Sequence, residues 1–548
     1  MAMDVKTPHE QVLDVRGLTV RLPDGADRRN AVEDISLKVA REEIVCIVGE
    51  SGSGKSVTAF TCMGLLPKKQ LQPTAGEILF DGDDLLKKTE PEMRDLRGAR
   101  LSMIFQEPMT ALNPVMKVGQ QIEEVLKVHS SMGSRERAER VVEIMDLVHL
   151  PDPASMADAY PHQLSGGQRQ RIMIASALVL DPALLIADEP TTALDVTTQK
   201  QILKLVREMM ERRKTGVLFI THDFGVVAEI ADRVVVMQNG RIVESGTAEE
   251  VLRRPTARYT QMLIRSVPSM HPPERTPDLT QPIALETDDL NKTYGATGFL
   301  SGGRVVKAAS DVNLTVRRGE TLGIVGESGS GKSTVARCVV RLVDPTSGEI
   351  RIHGADVASL SPRALRPHRK KVQIVFQDPY RSLNPRRTVG ASIIEGPMNF
   401  GMSQKDAVAK ARDLMGLVGL DPDAIERYPH QFSGGQRQRI CIARALAMEP
   451  EVLIADEAVS ALDVSVQAQV LDLIDDVRQK FNLAVLFITH DLRVAAQICD
   501  RIAVMYRGEV VEEGSTHTVF GDPQHDYTKM LFDAAPGRGF DFGAFETA

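Results

Sequence analysis

The stretch of sequence that decides the fold reads Gly49-Glu50-Ser51-Gly52-Ser53-Gly54-Lys55-Ser56. An apolar run, Ile44–Val48, precedes it, and a segment that can be helical follows it. A strand, a glycine loop with the spacing G-x-x-x-x-G-K-S and a helix together predict a phosphate-binding P-loop. The glycines let the backbone turn tightly enough to point several N–H groups inward, and the helix adds its positive N-terminal end. We expect Lys55 to reach the terminal phosphates of a nucleotide and the Ser56 hydroxyl to bind Mg²⁺.

The same octapeptide recurs 277 residues later, from Gly326 to Ser333. Other landmarks recur in the same order, displaced by 271 or 268 residues. These pairs are Ile104–Pro108 with Val375–Pro379, Tyr160–Gln168 with Tyr428–Gln436, Leu185–Glu189 with Leu453–Glu457, and Thr221–Asp223 with Thr489–Asp491. The repeat argues against a chance glycine turn and predicts a tandem duplication of one domain of roughly 250 residues.

Composition restricts the class of protein. The chain has 548 residues, too many for a single core, with 43% hydrophobic and 26% charged residues. We find no apolar run of membrane-span length and no signal-peptide pattern, so the sequence predicts a cytoplasmic protein whose membrane spans, if it works at a membrane, lie in other chains. The net charge of -8 without a basic stripe weighs against nucleic acid as a partner. The five scattered cysteines predict small buried side chains rather than metal ligands.

Alternation of strands and helices predicts an α/β domain with a largely parallel sheet. In the first copy the expected strands are Glu77–Phe80, Leu101–Phe105, Ala183–Ala187 and Val217–Ile220, and the expected helices include Ala138–Leu150 and Thr198–Arg212. A hairpin is expected on the Asn239-Gly240 turn, followed by a helix that a capping box opens at Thr247–Glu250. The second copy repeats the hairpin around Arg507-Gly508.

Segments rich in proline or glycine predict the limits of the domains. Five prolines between positions 267 and 284 predict an extended, exposed linker. The first domain would then span residues 10–266 and the second 285–535. The segment 536–548 is rich in Gly and Phe and is expected to be a flexible tail.

Each copy also has an apolar strand that ends in two carboxylates, Asp188-Glu189 and Asp456-Glu457. In an NTPase, an Asp at the end of a strand helps to hold Mg²⁺, and the Glu beside it can polarise the attacking water as general base. Taken alone, such a pattern also fits a helix N-cap with a solvated acid. Its repetition after a P-loop favours the catalytic interpretation.

Two further polar residues follow strands in each copy. His222 and His490 are predicted to contact the γ-phosphate and to orient the water, and Gln106 and Gln377 to join the Mg²⁺ shell. A single histidine or a single turn glutamine would more often be structural, but both recur at matching sites.

A second glycine-rich turn opens a helix in each copy, at Ser165-Gly166-Gly167-Gln168 and at Ser433-Gly434-Gly435-Gln436. One domain has no need for two phosphate-suited turns. The serine and glycine amides of one domain could instead close on the γ-phosphate held by the other.

The ordered set of motifs resembles the ATP-binding-cassette (ABC) ATPases over nearly the whole chain. It comprises the P-loop, the Gln loop, Leu-Ser-Gly-Gly-Gln, the strand with Asp-Glu, Ala193-Leu194-Asp195 with its copy Ala461-Leu462-Asp463, and the switch histidine. The resemblance implies two tandem P-loop NTPase domains, each with a mainly parallel sheet, an antiparallel β part and a helical signature subdomain. It also implies two Mg²⁺-ATP sites at a head-to-tail interface, with Lys55 opposite Ser433 and Gly435, and Lys332 opposite Ser165 and Gly167.

The resemblance assigns roles to individual residues. The catalytic residues are Glu189, Glu457, His222 and His490, and the Mg²⁺ ligands are Ser56, Gln106, Asp188, Ser333, Gln377 and Asp456. The nucleotide-binding residues of the first copy are Gly49, Ser51, Gly52, Gly54, Lys55, Ser56, Val57, Gln106, Ser165, Gly166, Gly167 and Gln168. Those of the second are Tyr294, Gly326, Ser328, Gly329, Gly331, Lys332, Ser333, Thr334, Gln377, Ser433, Gly434, Gly435 and Gln436.

A narrower resemblance lies in segments after the Gln loops and at the ends of the copies. These are Ala111–Pro114, Ser382–Pro385, Tyr259–Leu263 and Tyr527–Leu531. They are typical of importer ATPases for oligopeptides, dipeptides and nickel, and the fused form resembles those of peptide and glutathione importers. This implies two transmembrane permeases and an extracytoplasmic binding protein as partners, with the chain peripheral on the cytoplasmic side of the inner membrane.

The two copies differ at several positions. Tyr294 is a candidate aromatic for stacking on adenine, whereas the first copy has Leu22. Val57 corresponds to Thr334, and the second signature turn has Phe432 where the first has Leu164. Neither copy lacks a catalytic group, so we expect two competent sites, and whether they are equally active stays open.

Three other classes of protein fit the sequence less well than an importer ATPase does, because each would need a feature that the sequence does not show. A tandem cassette protein acting on ribosomes would carry a long charged helical linker, a sugar-importer ATPase usually has one degenerate copy, and a DNA-repair ATPase would need zinc cysteines or a coiled coil. The transported solute stays open among peptides, glutathione, nickel and opine-like compounds.

Overall fold

The computed structural model describes residues 10–26, 28–67, 70–191, 194–275, 278–295, 305–460 and 462–542. The chain divides into two compact units, which are described separately. Unit 1 comprises Met1–Val267 and Ala535–Ala548, and unit 2 comprises Pro268–Ala534. Ala193 and Ala461 of the predicted motif lie outside the described residues.

Unit 1 contains ten strands and eleven α-helices among its described residues. The strands are β1 Gln11–Arg21, β2 Asn30–Ala40, β3 Ile44–Val48, β4 Gln72–Phe80, β5 Asp83–Asp84, β6 Leu101–Ile104, β7 Leu184–Asp188, β8 Gly216–Ile220, β9 Arg233–Gln238 and β10 Arg241–Thr247. The helices are α1 Lys55–Cys62, α2 Glu90–Leu96, α3 Pro108–Ala111, α4 Val118–His129, α5 Ser134–Leu147, α6 Pro153–Met156, α7 Gly166–Leu178, α8 Val196–Arg213, α9 Phe224–Ile230, α10 Ala248–Arg253 and α11 Arg258–Arg265.

Unit 2 repeats this order of elements. Its strands are β11 Ile283–Tyr294, β12 Val306–Arg317, β13 Thr321–Val325, β14 Ser347–Ile352, β15 Ala355–Asp356, β16 Val372–Val375, β17 Val452–Asp456, β18 Ala484–Ile488, β19 Arg501–Tyr506 and β20 Glu509–Ser515. Its helices are α12 Lys332–Val339, α13 Pro362–Lys371, α14 Pro379–Ser382, α15 Val389–Asn399, α16 Gln404–Leu417, α17 Gly434–Leu446, α18 Val464–Phe481, α19 Leu492–Ile498, α20 Thr516–Gly521 and α21 Asp526–Asp533.

Each unit has one mainly parallel sheet and one antiparallel sheet. In unit 1 the six-stranded order is β10-β9-β3-β8-β7-β6, parallel except for β10, and the four-stranded antiparallel order is β2-β1-β4-β5. Unit 2 has the corresponding orders β20-β19-β13-β18-β17-β16 and β12-β11-β14-β15. The predicted α/β architecture is therefore confirmed, and the P-loop strand lies in the middle of the parallel sheet in both units.

Burial explains why the central strands are continuous apolar runs. Every residue of β3, β7 and β8 is buried, because helices and the antiparallel sheet cover both faces of the parallel sheet. The ends of such strands meet at one edge, where the loops that follow β3, β7 and β8 come together. This edge carries the candidate site.

Most of the predicted local elements are present. The four predicted strands of unit 1 lie within β4, β6, β7 and β8, apart from single residues at their ends. The β9–β10 hairpin turns at Asn239 and Gly240, which have φ of 50° and 83°, as the Asn-Gly signal predicted. Arg507 and Gly508 repeat this geometry with φ of 49° and 93°. Thr247 and Glu250 form the predicted capping box.

Described residues of the linker and of the tail make packing contacts. Pro268 is buried, and the Arg275 guanidinium lies 3.3 Å from a carboxylate oxygen of Asp475 within unit 2. The tail up to Phe542 packs on unit 1 instead of being flexible, because its phenylalanines bury apolar area: Phe542 is 3% exposed, and the Arg253 guanidinium lies 4.9 Å from the Phe540 ring centroid. Gly543–Ala548 lie outside the described residues.

Two absences and one burial prediction complete the description. Among the described residues, no helix combines the length and the apolar character needed to cross a membrane. Nor do those residues contain a cluster of three or more His, Cys, Asp or Glu side chains suited to a metal ion. All five cysteines are free and buried, as predicted, and burial raises the pKa of the Cys62 thiol to about 12.

Candidate functional site

The P-loop of unit 1 forms a closed backbone turn between β3 and α1. Gly49, Gly52 and Gly54 have φ of 146°, 78° and 105°, a region that residues with a Cβ rarely adopt. A Cβ at Gly49 would also collide with the Met237 carbonyl oxygen at the end of β9. Only glycine therefore satisfies both the conformation and the close approach of β9 at this point.

Lys55 is buried beneath this turn. Its Nζ atom donates hydrogen bonds to the carbonyl oxygens of Gly49, at 2.7 Å, and of Glu50, at 3.0 Å. Two backbone carbonyl groups thus hold the ammonium group inside the loop. To bind a phosphate, the ammonium group would have to leave these carbonyl groups. In unit 2, Lys332 Nζ makes the same bonds to Gly326, at 2.8 Å, and Glu327, at 2.7 Å.

A hydroxyl and a carboxylate meet at the edge of the sheet in both units. Ser56 Oγ lies 3.1 Å from Asp188 Oδ1, and Ser333 Oγ lies 2.9 Å from Asp456 Oδ1. Burial raises the pKa of Asp188 to about 6, with a smaller contribution from the neighbouring Glu189 charge, while the Ser56 hydrogen bond opposes the shift. Burial raises the pKa of Asp456 as well. A cation bound between this hydroxyl and the desolvated carboxylate would stabilise the ionised form of the carboxylate.

Glu189 is held by the two other residues that were predicted to act with it. Gln106 Nε2 donates to Glu189 Oε2 at 3.0 Å, and His222 Nδ1 lies 3.2 Å from Glu189 Oε1. In unit 2, Gln377 Nε2 lies 2.9 Å and His490 Nδ1 3.3 Å from Glu457 Oε2. Three segments that are distant in sequence, those of the glutamine, the glutamate and the histidine, therefore meet at one carboxylate in each unit.

The backbone at these glutamates is unusual. Glu189 has φ of 48° and Glu457 has φ of 50°, the left-handed region that non-glycine residues seldom occupy. The N–H group of each still bonds across the sheet, to Ile220 and Ile488 respectively, both at 2.9 Å. Strained backbone of this kind persists only where the surrounding structure imposes it, and it concentrates at functional sites.

The Glu457–His490 pair shows opposite pKa shifts. Burial alone would raise the pKa of Glu457, but the hydrogen bond and charge of His490 outweigh it and lower that pKa. Burial alone would lower the pKa of His490, but the bond to Glu457 and its charge raise it. An ionised glutamate beside a protonated histidine is the state that this geometry favours.

The signature turns are N-caps of α7 and α17. The Ser165 N–H donates to Gln168 Oε1 at 2.9 Å, and the Gln168 N–H donates to Ser165 Oγ at 3.3 Å, a reciprocal capping box. Ser433 and Gln436 form the same pair at the same two distances. Leu164 and Phe432, the one departure between the two motifs, are both buried, so either side chain anchors the turn.

The remaining predicted positions lie where the repeat places them. Val57 and Thr334 occupy the first turn of α1 and α12. Tyr294 ends β11 with its side chain partly exposed, and Lys292 Nζ lies 5.0 Å from its ring centroid. Leu22 directly follows β1 in unit 1.

One pair of residues was not assigned a role from sequence. The hydroxyl of Tyr259, on α11, accepts a hydrogen bond from the P-loop N–H of Glu50 at 3.1 Å, and Tyr527 does the same for Glu327 at 3.1 Å. Both tyrosines belong to the segments Tyr259–Leu263 and Tyr527–Leu531, which carry the resemblance to peptide-importer ATPases. Their recurrence at the end of each copy was the available signal.

The chain belongs to the ABC transporter family, whose ABC transporter region matches residues 32–192 and 309–460. Its two copies of this region are ATPase domains. A second family, described as the oligopeptide/dipeptide transporter C-terminal region, matches residues 243–295 and 511–540, on the C-terminal side of each ABC region.

Individual relatives are similar over nearly the whole chain. The glutathione import ATP-binding protein GsiA of Salmonella paratyphi A is 46% identical, covering 96% of this chain and 89% of that protein. The protein of the same name from Escherichia coli K12 is 45% identical, covering 96% and 91%. A dimeric bacterial ABC transporter cassette of known structure is 30% identical over 42% of this chain and 98% of its own, with a TM-score of 0.39.

Proposed function

We propose that this chain hydrolyses ATP to power a membrane importer of peptide-like solutes. The observation that carries the proposal is that each complete P-loop, carboxylate and histidine constellation is followed by an oligopeptide/dipeptide transporter C-terminal region. The similarity to glutathione import proteins supports glutathione or a short peptide as the solute. A nickel complex and an opine-like solute are the other candidates from the sequence.

The P-loops are proposed to bind the phosphates of ATP. The inward N–H groups and the helix N-termini would take the phosphate oxygens, and Lys55 and Lys332 would exchange their P-loop carbonyl partners for phosphate oxygens. The signature residues Ser165, Gly167, Ser433 and Gly435 are proposed to take the γ-phosphate. Their pairing with the P-loop of the other copy stays a prediction from sequence.

The donor set at the sheet edge fits Mg²⁺. Ser56 with Asp188, and Ser333 with Asp456, offer one hydroxyl and one carboxylate each, and Mg²⁺ is usually held by one or two carboxylates together with substrate phosphates. Gln106 and Gln377 would complete the protein ligands with their amide oxygens. Bound Mg²⁺ would supply neutralisation of the charge on the transferred phosphoryl group.

Water activation is proposed for Glu189 and Glu457. Each carboxylate is positioned by a glutamine amide and a histidine, so its orientation is fixed before a water arrives. The carboxylate would accept a proton from the attacking water. The histidine would keep the carboxylate in position and contact the γ-phosphate. The strained backbone at both glutamates supports a role that depends on their exact placement.

The proposed setting is the cytoplasmic side of the inner membrane. Two transmembrane permeases would contact the chain, and an extracytoplasmic binding protein would deliver the solute. The Asn-Pro segments after the Gln loops, at Asn113 and Asn384, are the proposed contacts for the permeases.

Reconstituted transport tests the proposal. The chain, together with two candidate permeases and a candidate binding protein, would be placed in proteoliposomes, and uptake of labelled glutathione, dipeptide and Ni²⁺ measured with and without ATP. We expect ATP-dependent uptake of one of these solutes, and its loss in Lys55→Ala/Lys332→Ala. Copurification with ribosomes instead of permeases would count against an importer.

A further inference from the structure

The oligopeptide/dipeptide transporter C-terminal region contains none of the catalytic motifs, yet in each unit it touches the P-loop. In unit 1 the contact is made by Tyr259, which is 8% exposed and 209 residues distant in sequence from its partner Glu50. The Tyr259 hydroxyl accepts from the Glu50 N–H at 3.1 Å and lies 3.3 Å from Glu50 Oε2. The tyrosine therefore fixes the second residue of the phosphate-binding turn.

Both backbone polar groups of Glu50 are hydrogen-bonded. While the Tyr259 hydroxyl takes the Glu50 N–H, Lys55 Nζ donates to the Glu50 carbonyl oxygen at 3.0 Å. Rotation of the peptide group on either side of Glu50 would move a carbonyl oxygen that accepts a hydrogen bond from Lys55. The hydroxyl is thus connected to the position of the ammonium group through a single residue.

The helix that carries the tyrosine is itself anchored to the sheet. Glu244, on β10, accepts the N–H groups of Thr256, at 2.7 Å, and Ala257, at 3.1 Å, which are the last residues before α11. Burial would raise the pKa of Glu244, but these hydrogen bonds outweigh it and lower that pKa, so the carboxylate stays charged. The anchor therefore caps the start of α11 and sets the reach of its tyrosine.

Unit 2 contains the same arrangement made from different residues. Glu512, on β20, accepts the N–H groups of Gln524, at 2.8 Å, and His525, at 3.0 Å, before α21. Tyr527, which is 5% exposed, then takes the Glu327 N–H at 3.1 Å. The acid, the two backbone N–H donors and the tyrosine thus recur, although the donating residues are Thr-Ala in one unit and Gln-His in the other.

We propose that Tyr259 and Tyr527 are positioning residues, through which the C-terminal region holds each P-loop in its nucleotide-binding conformation. The hydroxyl removes the need to order the Glu50 or Glu327 peptide when ATP arrives, and so raises affinity without taking part in the chemical step. This inference rests on the proposed nucleotide role of the P-loops. It assigns to the C-terminal region a function inside the ATPase domain.

Tyr259→Phe and Tyr527→Phe test the inference, because each removes one oxygen and keeps the buried ring. To read one site at a time, Tyr259→Phe is placed in a Lys332→Ala background and Tyr527→Phe in a Lys55→Ala background. We expect the Kd and KM for ATP to rise about 3- to 10-fold, the effect of one hydrogen bond, with kcat changed less than about twofold. The melting temperature should change little.

Two further variants complete the design. Tyr506→Phe is the matched control: its ring packs 4.2 Å from that of Tyr527, and loss of its hydroxyl should leave ATP affinity unchanged. Glu244→Gln keeps an acceptor but loses the charge that caps α11, and should weaken ATP binding less than Tyr259→Phe. Unaltered ATP affinity in both tyrosine variants, or a lower melting temperature with unaltered affinity, would overturn the inference. If Lys55→Ala/Lys332→Ala binds ATP like the parent chain, the proposed site itself is wrong.

Discussion

The two units contain the same site twice, and they differ around it more than in it. The Ser–Asp contact, the Gln–Glu–His arrangement, the left-handed glutamate and the tyrosine bond to the P-loop recur in both units with distances that agree within about 0.2 Å. The surroundings do not recur: Arg337 on α12 replaces Phe60 on α1, and Tyr506 replaces Gln238. The contacts of the site therefore keep their geometry although residues around them differ between the units.

The differences also imply that the two sites are not equivalent. Asp188 has its pKa raised to about 6, whereas the Arg337 charge opposes the increase at Asp456. Glu189 binds its two partners with separate oxygens, whereas Gln377 and His490 share Oε2 of Glu457. Four predictions test how far this inequality extends.

The largest effect is expected from the glutamates. Each single exchange, Glu189→Gln or Glu457→Gln, should lower ATP turnover at least about twofold and the double exchange about 100-fold or more, because a general base contributes about 10²- to 10⁴-fold. Phosphate release at saturating Mg²⁺-ATP measures this. The exposed Glu249→Gln is the control. If one single exchange has no effect, that site is silent and the units differ in competence, contrary to our expectation.

The second prediction concerns stability and pH. Since the folded-state pKa of Asp188 is above its ordinary value, the native state binds the proton more tightly, and the free energy of unfolding falls as pH rises through the range from about 3.8 to about 6. Asp188→Asn should therefore stabilise the nucleotide-free protein by about 1–3 kcal/mol at neutral pH, and by less near pH 5. Asp456→Asn should stabilise less, because of Arg337.

Thermal unfolding at the two pH values, without nucleotide or Mg²⁺, measures both variants. Equal stabilisation by the two exchanges would contradict the electrostatic difference inferred between the units. A loss of stability in Asp188→Asn at neutral pH would show that the buried carboxylate is not the unfavourable charge inferred from its surroundings.

Much of this site could be predicted from sequence because its motifs follow strands. The P-loop, the Asp-Glu pair and the histidine each end an apolar run, and parallel strands bring their carboxyl ends to one edge. The left-handed backbone of Glu189 could not be predicted, since nothing about a glutamate favours it and only the surrounding fold imposes it. The Tyr259–Glu50 bond joins residues 209 positions apart, and a tyrosine in an amphipathic helix is usually a core residue. The packing of Phe542 was missed for a similar reason: a glycine-rich tail gives no periodicity from which burial could be inferred.

The third prediction uses the signature helices. A Cβ at Gly435 would collide with Val466 Cγ1, whereas a Cβ at Gly167 would meet Thr198 Cγ2 at 3.5 Å, an ordinary contact. Gly435→Ala should cost about 1–3 kcal/mol of stability, and Gly167→Ala should be nearly neutral. Thermal unfolding of the nucleotide-free protein compares them. Adding Val466→Ala to Gly435→Ala should restore stability; equal effects at the two glycines would contradict the packing difference.

The smallest effect is expected at the base. A partly exposed aromatic ring that stacks on adenine contributes about 1 kcal/mol, so Tyr294→Leu should weaken ATP binding about fivefold in a Lys55→Ala background, while Tyr294→Phe should not. Leu22→Tyr, measured in a Lys332→Ala background, should strengthen binding by a similar factor if the absent ring is what distinguishes the first site. A titration with ATP and with GTP separates stacking, which both bases provide, from contacts specific to adenine. Tyr294→Leu could weaken binding while Leu22→Tyr has no effect. In that case the backbone after β1 does not direct a side chain towards the base as β11 does. The difference between the two sites would then lie in the path of the backbone and not in a single residue.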